Sequence, residues 1–143
     1  LPVLWAGSSH HHLGFAGTLS LSSETYVRVL CDLCESLIRA GFRRIFLLNG
    51  HGGNQTPFAE ALSRLGLKHR GVWIAAQSYW LLAADALASQ SFMKTPRLSH
   101  ACEYETSMVL ALREDLVQMD LAKGGRAARG SDFYDPLGYT ATR

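Results

Sequence analysis

A short apolar run that ends directly in a glycine-rich loop constrains the fold of this chain more than any other feature. Residues 45–48 are four consecutive large apolar residues, and the loop Asn-Gly-His-Gly-Gly-Asn follows at residues 49–54. Such a run between turn-forming residues is typical of a buried strand, because a helix would show apolar residues with a period of about 3.6. The sequence therefore predicts a buried strand over residues 44–48 whose carboxyl end presents His51.

Helical and strand patterns alternate along the rest of the chain. They predict helices over residues 23–40, 57–66, 80–88 and 101–113, and strands over residues 72–76 and 116–119. Ser22 and Ser23 mark the start of the first helix and Gly41 its end, and Thr56 with Pro57 marks the start of the second. Alternating elements joined by short loops indicate a three-layer α/β/α fold, with helices on both faces of a largely parallel sheet.

Composition and charge exclude several classes of protein. The chain has 143 residues, 48% of them hydrophobic and 18% charged, which is enough for one domain with a real core. The formal net charge is +2, without a concentrated basic patch of the kind that binds nucleic acid. No apolar stretch is long enough to cross a bilayer, and no signal peptide opens the chain. We therefore expect a cytoplasmic protein that binds neither nucleic acid nor membrane.

The cysteines indicate a reducing compartment. There are three, an odd number, in a chain without a secretory signal. Cys31 and Cys34 have the spacing of a redox or zinc pair, but they fall inside an amphipathic helical pattern. The pattern favours ordinary helix residues over a reactive pair.

The loop over residues 49–54 is the first candidate site. Its glycines let the backbone turn sharply and approach a ligand, which makes Gly52 a candidate for contact with substrate. Asn49 and Asn54 can hold the loop through their side-chain amides. His51 is its chemically active residue, suited to bind a metal or act as a general base. A phosphate loop or an ordinary turn is the alternative, but the loop fits neither a Walker motif nor GxGxxG.

A second candidate site lies in residues 99–107. On a helix, one polar stripe carries residues at i, i+3, i+4 and i+7, namely His100, Glu103, Tyr104 and Ser107. Glu105 points away from this stripe. The alternative is a helix N-terminus capped by Ser99, where the helix dipole favours the two glutamates.

A histidine tract, His10-His11-His12, forms the third candidate site. Three histidines in one tract can bind metal. However, adjacent residues of an extended chain point to opposite sides, so all three would not readily share one ion. His12 is the residue that we favour.

Taken together, these stretches resemble the creatininase family of metal-dependent amide hydrolases. The family pattern has a histidine before Phe-Pro-Gly-Thr-x-Ser-Leu, a strand ending in Asn-Gly-His-x-x-Asn, and a later His-Ala-Gly-Glu-x-Glu-Thr-Ser. The corresponding stretches are residues 12–21, 49–54 and 100–107, and the resemblance covers residues 7–120 of a single predicted domain, with residues 121–143 as a loop or arm. The chain departs from the pattern at Ala16, at Cys102, and at His10 and His11, where Pro-Glu is more usual.

The resemblance implies a site with two divalent cations, zinc or manganese, which lower the pKa of a bound water and polarise an amide carbonyl. By the same comparison His51 matches a metal ligand and His100 the proton-shuttling histidine, while Glu105 matches a glutamate that supports catalysis. Creatininase has a further glutamate ligand at the position of Gly53, and our hypothesis is that Glu103 replaces it.

The resulting interpretation is an amidohydrolase that cleaves a C–N bond in a small cyclic or linear amide. His12, Gly52 and Trp80 are assigned to substrate binding, although large aromatic residues are more often part of a core. The family's first motif, Glu-x-His followed by aspartate, has no counterpart here. We therefore expect the remaining ligands to come from a complementary N-terminal fragment or a homo-oligomer, since relatives form hexamers. The alternative is a non-catalytic subunit or fragment that serves in assembly.

Overall fold

The computed structural model describes residues 3–94 and 102–122. The chain divides into two compact units, Leu1–Leu87 and Ala88–Arg143, and each is described by itself. The α-helices are α1 (Ser23–Arg39), α2 (Gln55–Lys68), α3 (Tyr79–Leu82), α4 (Ala84–Ala88) and α5 (Glu103–Arg113). The strands are β1 (Arg44–Asn49) and β2 (Trp73–Ser78). Short 3-10 turns cover His10–His12, Gly52–Asn54, Glu114–Leu116 and Met119–Leu121. None of the described helices is long and apolar enough to cross a membrane.

Helix α1 begins and ends at the predicted signals. Ser22 is its N-cap, and the Ser22 hydroxyl accepts a hydrogen bond from the Thr25 amide at 3.1 Å. Gly41 follows the helix with a φ of +96°, a conformation that a residue without a Cβ adopts at little cost. Both ends of the helix are therefore encoded locally.

Strands β1 and β2 are adjacent and parallel, and α2 connects them. The register places Arg44 opposite Trp73 and Asn49 opposite Ser78. This β-α-β unit confirms the predicted α/β arrangement with a parallel sheet. Because parallel strands end at the same edge of a sheet, the loop that carries His51 leaves the sheet beside the end of β2.

The hydrophobic core of the first unit lies between the two long helices and one face of the sheet. One cluster joins α1 to α2 and contains Tyr26, Val27, Leu30, Phe58 and Ala61. A second cluster joins both helices to β1 and contains Cys34, Ile45 and Leu65. Burial of each large apolar side chain stabilises the fold by roughly 1.5–3 kcal/mol, so these contacts fix α1 and α2 against the sheet.

The prediction that β1 is a buried strand is correct for only one face. Ile45 is 5% exposed, whereas Phe46 and Leu48 are 47% and 62% exposed. Successive side chains of a strand point to opposite faces, and α1 and α2 pack against the face that carries Ile45. A run of consecutive apolar residues therefore does not by itself establish burial on both sides.

Three further predictions need correction. Helix α2 begins at Gln55 rather than at Pro57, because the turn Gly52–Asn54 continues directly into it. Residues 80–88 belong to two short helices instead of one. Residues 116–119 lie in and between 3-10 turns rather than in a strand; the described residues provide a two-stranded sheet, of which this segment is not a member.

Cys31 and Cys34 are structural residues of α1. Cys34 is 1% exposed and belongs to the core cluster with Ile45 and Leu65. Burial raises the pKa of both thiols, which keeps them protonated near neutral pH. Their surroundings agree with the interpretation of the pair as ordinary helix residues.

Candidate metal centre

Three histidines converge at the carboxyl end of β1. His11 and His12 lie in the first 3-10 turn, and His51 lies two residues after Asn49, the last residue of β1. Each offers a nitrogen that can bind a metal, and these nitrogens all lie within 4.8 Å of one another. The ring centroids of His11 and His51 are 5.3 Å apart, and those of His12 and His51 are 5.4 Å apart. The fold thus brings together His12 and His51, which are 39 positions apart in sequence (51 minus 12).

His11 is a member of the cluster that the sequence did not predict, because an extended tract would point adjacent side chains to opposite sides. The tract forms a 3-10 turn instead, in which the His12 amide donates to Ser9 O and the Leu13 amide donates to His10 O. In this turn the ligand nitrogens of the adjacent His11 and His12 lie within 4.8 Å of each other. The signal in the sequence was the departure from the family pattern at His10 and His11.

Hydrogen bonds orient the His12 ring. Its Nδ1 lies 2.8 Å from Ser9 Oγ, and the Thr18 hydroxyl donates to the His12 carbonyl at 2.8 Å. In the tautomer whose Nδ1–H donates to Ser9, Nε2 carries the lone pair that a metal requires. Ser9 and Thr18 therefore hold both the ring and the backbone of this residue.

A buried amide network holds the glycine-rich loop in place. Asn49 Oδ1 accepts hydrogen bonds from the His51 amide at 3.1 Å and from Asn54 Nδ2 at 3.3 Å. Asn49 Nδ2 donates to Ser78 Oγ at 3.1 Å, and Asn54 Oδ1 accepts from the Ser8 amide at 2.9 Å. The predicted role of the two asparagines is confirmed, and the network also joins β1, β2 and the segment before the histidine tract.

The backbone of Gly53 packs closely against the rings of His51 and His11. A Cβ at this position would be 2.5 Å from Ser8 O, 2.7 Å from His51 Nε2 and 3.0 Å from His11 Cε1. At Gly52, by contrast, a Cβ would meet no described atom within 4 Å. Of the three glycines in the loop, Gly53 is therefore the one at which a side chain would clash with the cluster, whereas a side chain at Gly52 would extend into open space.

Replacing Gly53 with alanine should lower the free energy of unfolding by about 1–3 kcal/mol, because the added methyl group displaces the Ser8 backbone or the His51 ring. Urea unfolding followed by circular dichroism measures the change. Gly50→Ala is the matched control, since a Cβ there meets nothing within 4 Å. Equal stability of the two variants would contradict the close approach at Gly53.

The glutamates predicted for the site lie in the second unit. Glu103 is the first residue of α5, and its Oε2 accepts a hydrogen bond from the Lys94 amide at 2.8 Å. Glu105 Oε2 accepts from the Cys102 amide at 3.3 Å, so Glu105 caps the helix that begins after Cys102. Cys102, not Ser99, is the N-cap. His100 and Ser99 lie outside the described residues, and the catalytic assignment of His100 stays a prediction.

Trp80 lies half-buried in α3, where its ring packs edge-on against Tyr79 with centroids 5.1 Å apart. A cleft of about 210 Å³ opens nearby at the carboxyl ends of the strands. Its lining includes Asn49, Phe58, Leu62, Gln77 and Ser78. Its position agrees with the rule that ligands bind at this edge of a parallel sheet, and substrate binding by Trp80 stays a prediction.

A parallel β-α-β unit with an imidazole cluster at the ends of its strands defines an α/β protein with a candidate metal centre. The chain belongs to the creatininase family: the family model, described as creatinine amidohydrolase, matches residues 1–141. The family resemblance of the three sequence motifs is thereby confirmed.

Individual relatives agree with this assignment. The chain is 32% identical to a creatinine amidohydrolase of Pseudomonas putida over 80% of this chain and 46% of the relative. It is 30% identical to a mycofactocin precursor peptide peptidase of Mycobacterium ulcerans over 89% of this chain and 44% of the relative. A solved mutant creatininase of the Zn-Zn type matches with a TM-score of 0.66 and 31% identity, over 74% of this chain and 45% of that chain. The chain thus spans a little under half of the length of these relatives.

Proposed function

We propose that this protein is a metal-dependent amidohydrolase that cleaves a C–N bond in a small cyclic or linear amide. The observation that carries the proposal is the position of His51 at the carboxyl end of β1, where the Asn49 amide holds it, in a chain of the creatininase family. Relatives named as a creatinine amidohydrolase and a peptide peptidase support the amide class of substrate.

The side chains around His51 fit a divalent cation of the zinc or manganese kind. Imidazole nitrogens suit zinc, and three of them lie within 4.8 Å of one another. In the proposal, His51 holds one of two cations, and Glu103 supplies a carboxylate ligand. Such cations, when bound, lower the pKa of a water and polarise an amide carbonyl. The remaining ligands come from a complementary N-terminal polypeptide or from a second subunit.

The other predicted residues contact the substrate, transfer a proton or hold the start of α5. The open space at Gly52 leaves room for a substrate to approach the backbone of the loop. Trp80 contacts the substrate, whereas His12, first assigned to substrate binding, lies beside His51 and is better placed as a cation ligand. His100 holds and transfers the proton that the leaving amine requires, and Glu105 keeps the start of α5 in place through its bond to the Cys102 amide.

The test combines metal content with amide hydrolysis, measured on protein from which any histidine tag has been removed. We expect bound zinc or manganese, hydrolysis of creatinine or a short amide, and loss of both in His51→Ala. His69→Ala is the matched control, because His69 is the C-cap of α2 and lies outside the cluster, with its Nε2 3.6 Å from Glu35 Oε1. Unchanged metal content and activity in His51→Ala would refute the proposal.

A non-catalytic assembly subunit is the second candidate function. The exposed apolar side chains Phe46, Leu48 and Trp73 on the sheet favour it, because exposed apolar surface of this kind commonly contacts another polypeptide. The same metal measurement separates the two candidates. A protein that forms stable assemblies, binds no metal and hydrolyses no amide would be such a subunit.

A further inference from the structure

We propose that His11 is a metal ligand and that, with His12 and His51, it forms a three-imidazole site for one zinc ion. This inference rests on the proposed function in one respect, since both place a cation beside His51. It goes further because all three ligands belong to the first unit, so that binding this ion requires no residue of the second unit.

The separation of the three rings is close to what a zinc ion needs. Tetrahedral zinc with Zn–N distances of about 2.0–2.1 Å places its nitrogens roughly 3.3 Å apart. The ligand nitrogens of this cluster lie within 4.8 Å of one another, so movements on the order of 1 Å bring them to that distance. His11 and His51 are stacked with an angle of 10° between their planes, so one ring must tilt. His11 is exposed and has room to do so.

Gly53 creates the space that His11 uses. A Cβ at residue 53 would be 2.7 Å from His51 Nε2 and 3.0 Å from His11 Cε1. Any side chain at this position would therefore compete with the His11 ring for the volume beside His51 Nε2. The lack of a side chain at Gly53 therefore leaves the volume that the His11 ring needs beside His51.

The surroundings of the cluster match those of an accessible metal site. The 3-10 turn fixes the backbone of His11 and His12 before any ion binds, which lowers the conformational entropy that binding must overcome. His12 and His51 are half-buried and His11 is exposed, so the cluster opens to solvent on one side. Three protein ligands with an open fourth position are typical of zinc sites that bind a water or a substrate.

Metal titration of the full chain tests the inference without reliance on activity. The protein is stripped with a chelator and titrated with Co²⁺, whose absorption reports tetrahedral nitrogen ligation, and with Zn²⁺ in competition with a coloured chelator. We expect His11→Ala to lower zinc affinity at least tenfold and to weaken the Co²⁺ absorption. His10→Ala is the matched control, because this exposed neighbour lies outside the cluster, with its Nδ1 3.2 Å from Ser20 Oγ. Its affinity should stay within twofold of the unmodified chain.

The outcomes separate this inference from the proposed function. If His51→Ala loses the metal while His11→Ala binds it within twofold of the unmodified chain, His11 is not a ligand and the proposed function stands. If the unmodified chain binds neither Co²⁺ nor Zn²⁺, this inference fails, whereas the proposed function fails only if metal is also absent when the complementary polypeptide is present. Gly53→Ala provides a second variant that leaves all three imidazoles in the sequence, and it should also weaken zinc binding. Circular dichroism of each variant confirms that the fold is retained.

Discussion

Replacing Asn49 with alanine is expected to lower the free energy of unfolding by about 3–5 kcal/mol, the largest effect that we predict for a single residue of the site. Asn49 is 3% exposed and makes hydrogen bonds to Ser78, Asn54 and the His51 amide. Alanine has no side-chain amide and can form none of these hydrogen bonds. Each partner that stays buried without a hydrogen bond costs about 1–3 kcal/mol, so the losses accumulate.

Urea unfolding measures this change, with the midpoint and the m-value determined together. Gln55→Ala is the matched control, because it also removes an amide but from an exposed position at the start of α2. We expect the control to stay within about 0.5 kcal/mol of the unmodified chain. If Asn49→Ala lowered the free energy of unfolding no more than the control does, the amide network would not be what holds the loop. The same variant should bind zinc more weakly, since the His51 backbone loses its hydrogen bond to Asn49 Oδ1.

Replacing Leu65 with alanine is expected to lower the free energy of unfolding by about 2–5 kcal/mol. Leu65 is 1% exposed, and its cluster joins α2 to Cys34 of α1 and to Ile45 of β1. The smaller side chain loses this burial and leaves a cavity between three elements. Because β1 carries the loop with His51 at its end, the core that packs against β1 determines how firmly the loop is held.

Leu67→Ala is the control for this prediction. Leu67 lies two residues further along α2 and is 72% exposed, so its truncation should change stability by less than about 0.5 kcal/mol. Thermal unfolding of the two variants gives the comparison. Equal melting temperatures would mean that the packing of α2 on the sheet does not depend on Leu65.

The proposed metal site lies entirely within the first unit. Its three rings come from two segments, the 3-10 turn and the loop after β1, and Ser8 links these segments through its hydrogen bond to Asn54. A change in either segment should therefore affect the other. For the same reason we expect Gly53, which offers no ligand, to affect zinc binding at the proposed site.

The local elements were predictable because their signals are local. The Ser22 cap and Gly41 define α1, and the apolar run followed by Asn49 defines the end of β1. These features depend on backbone geometry and on neighbours within a few residues. The burial of β1 was only half predicted, because the sequence of a strand does not specify which of its faces a helix covers.

The sequence by itself determined the family, the order of α1, β1, α2 and β2, and the position of His51 after the end of β1, since motifs and periodicity are properties of consecutive residues. Only the tertiary structure decided that His11 joins His12 and His51, that Asn49 connects the two strands, and that Gly53 must have no side chain. The physical reason is that these contacts depend on distances between segments that are remote along the chain. Such distances are fixed by the packing of α1 and α2 on the sheet, and no local pattern encodes them.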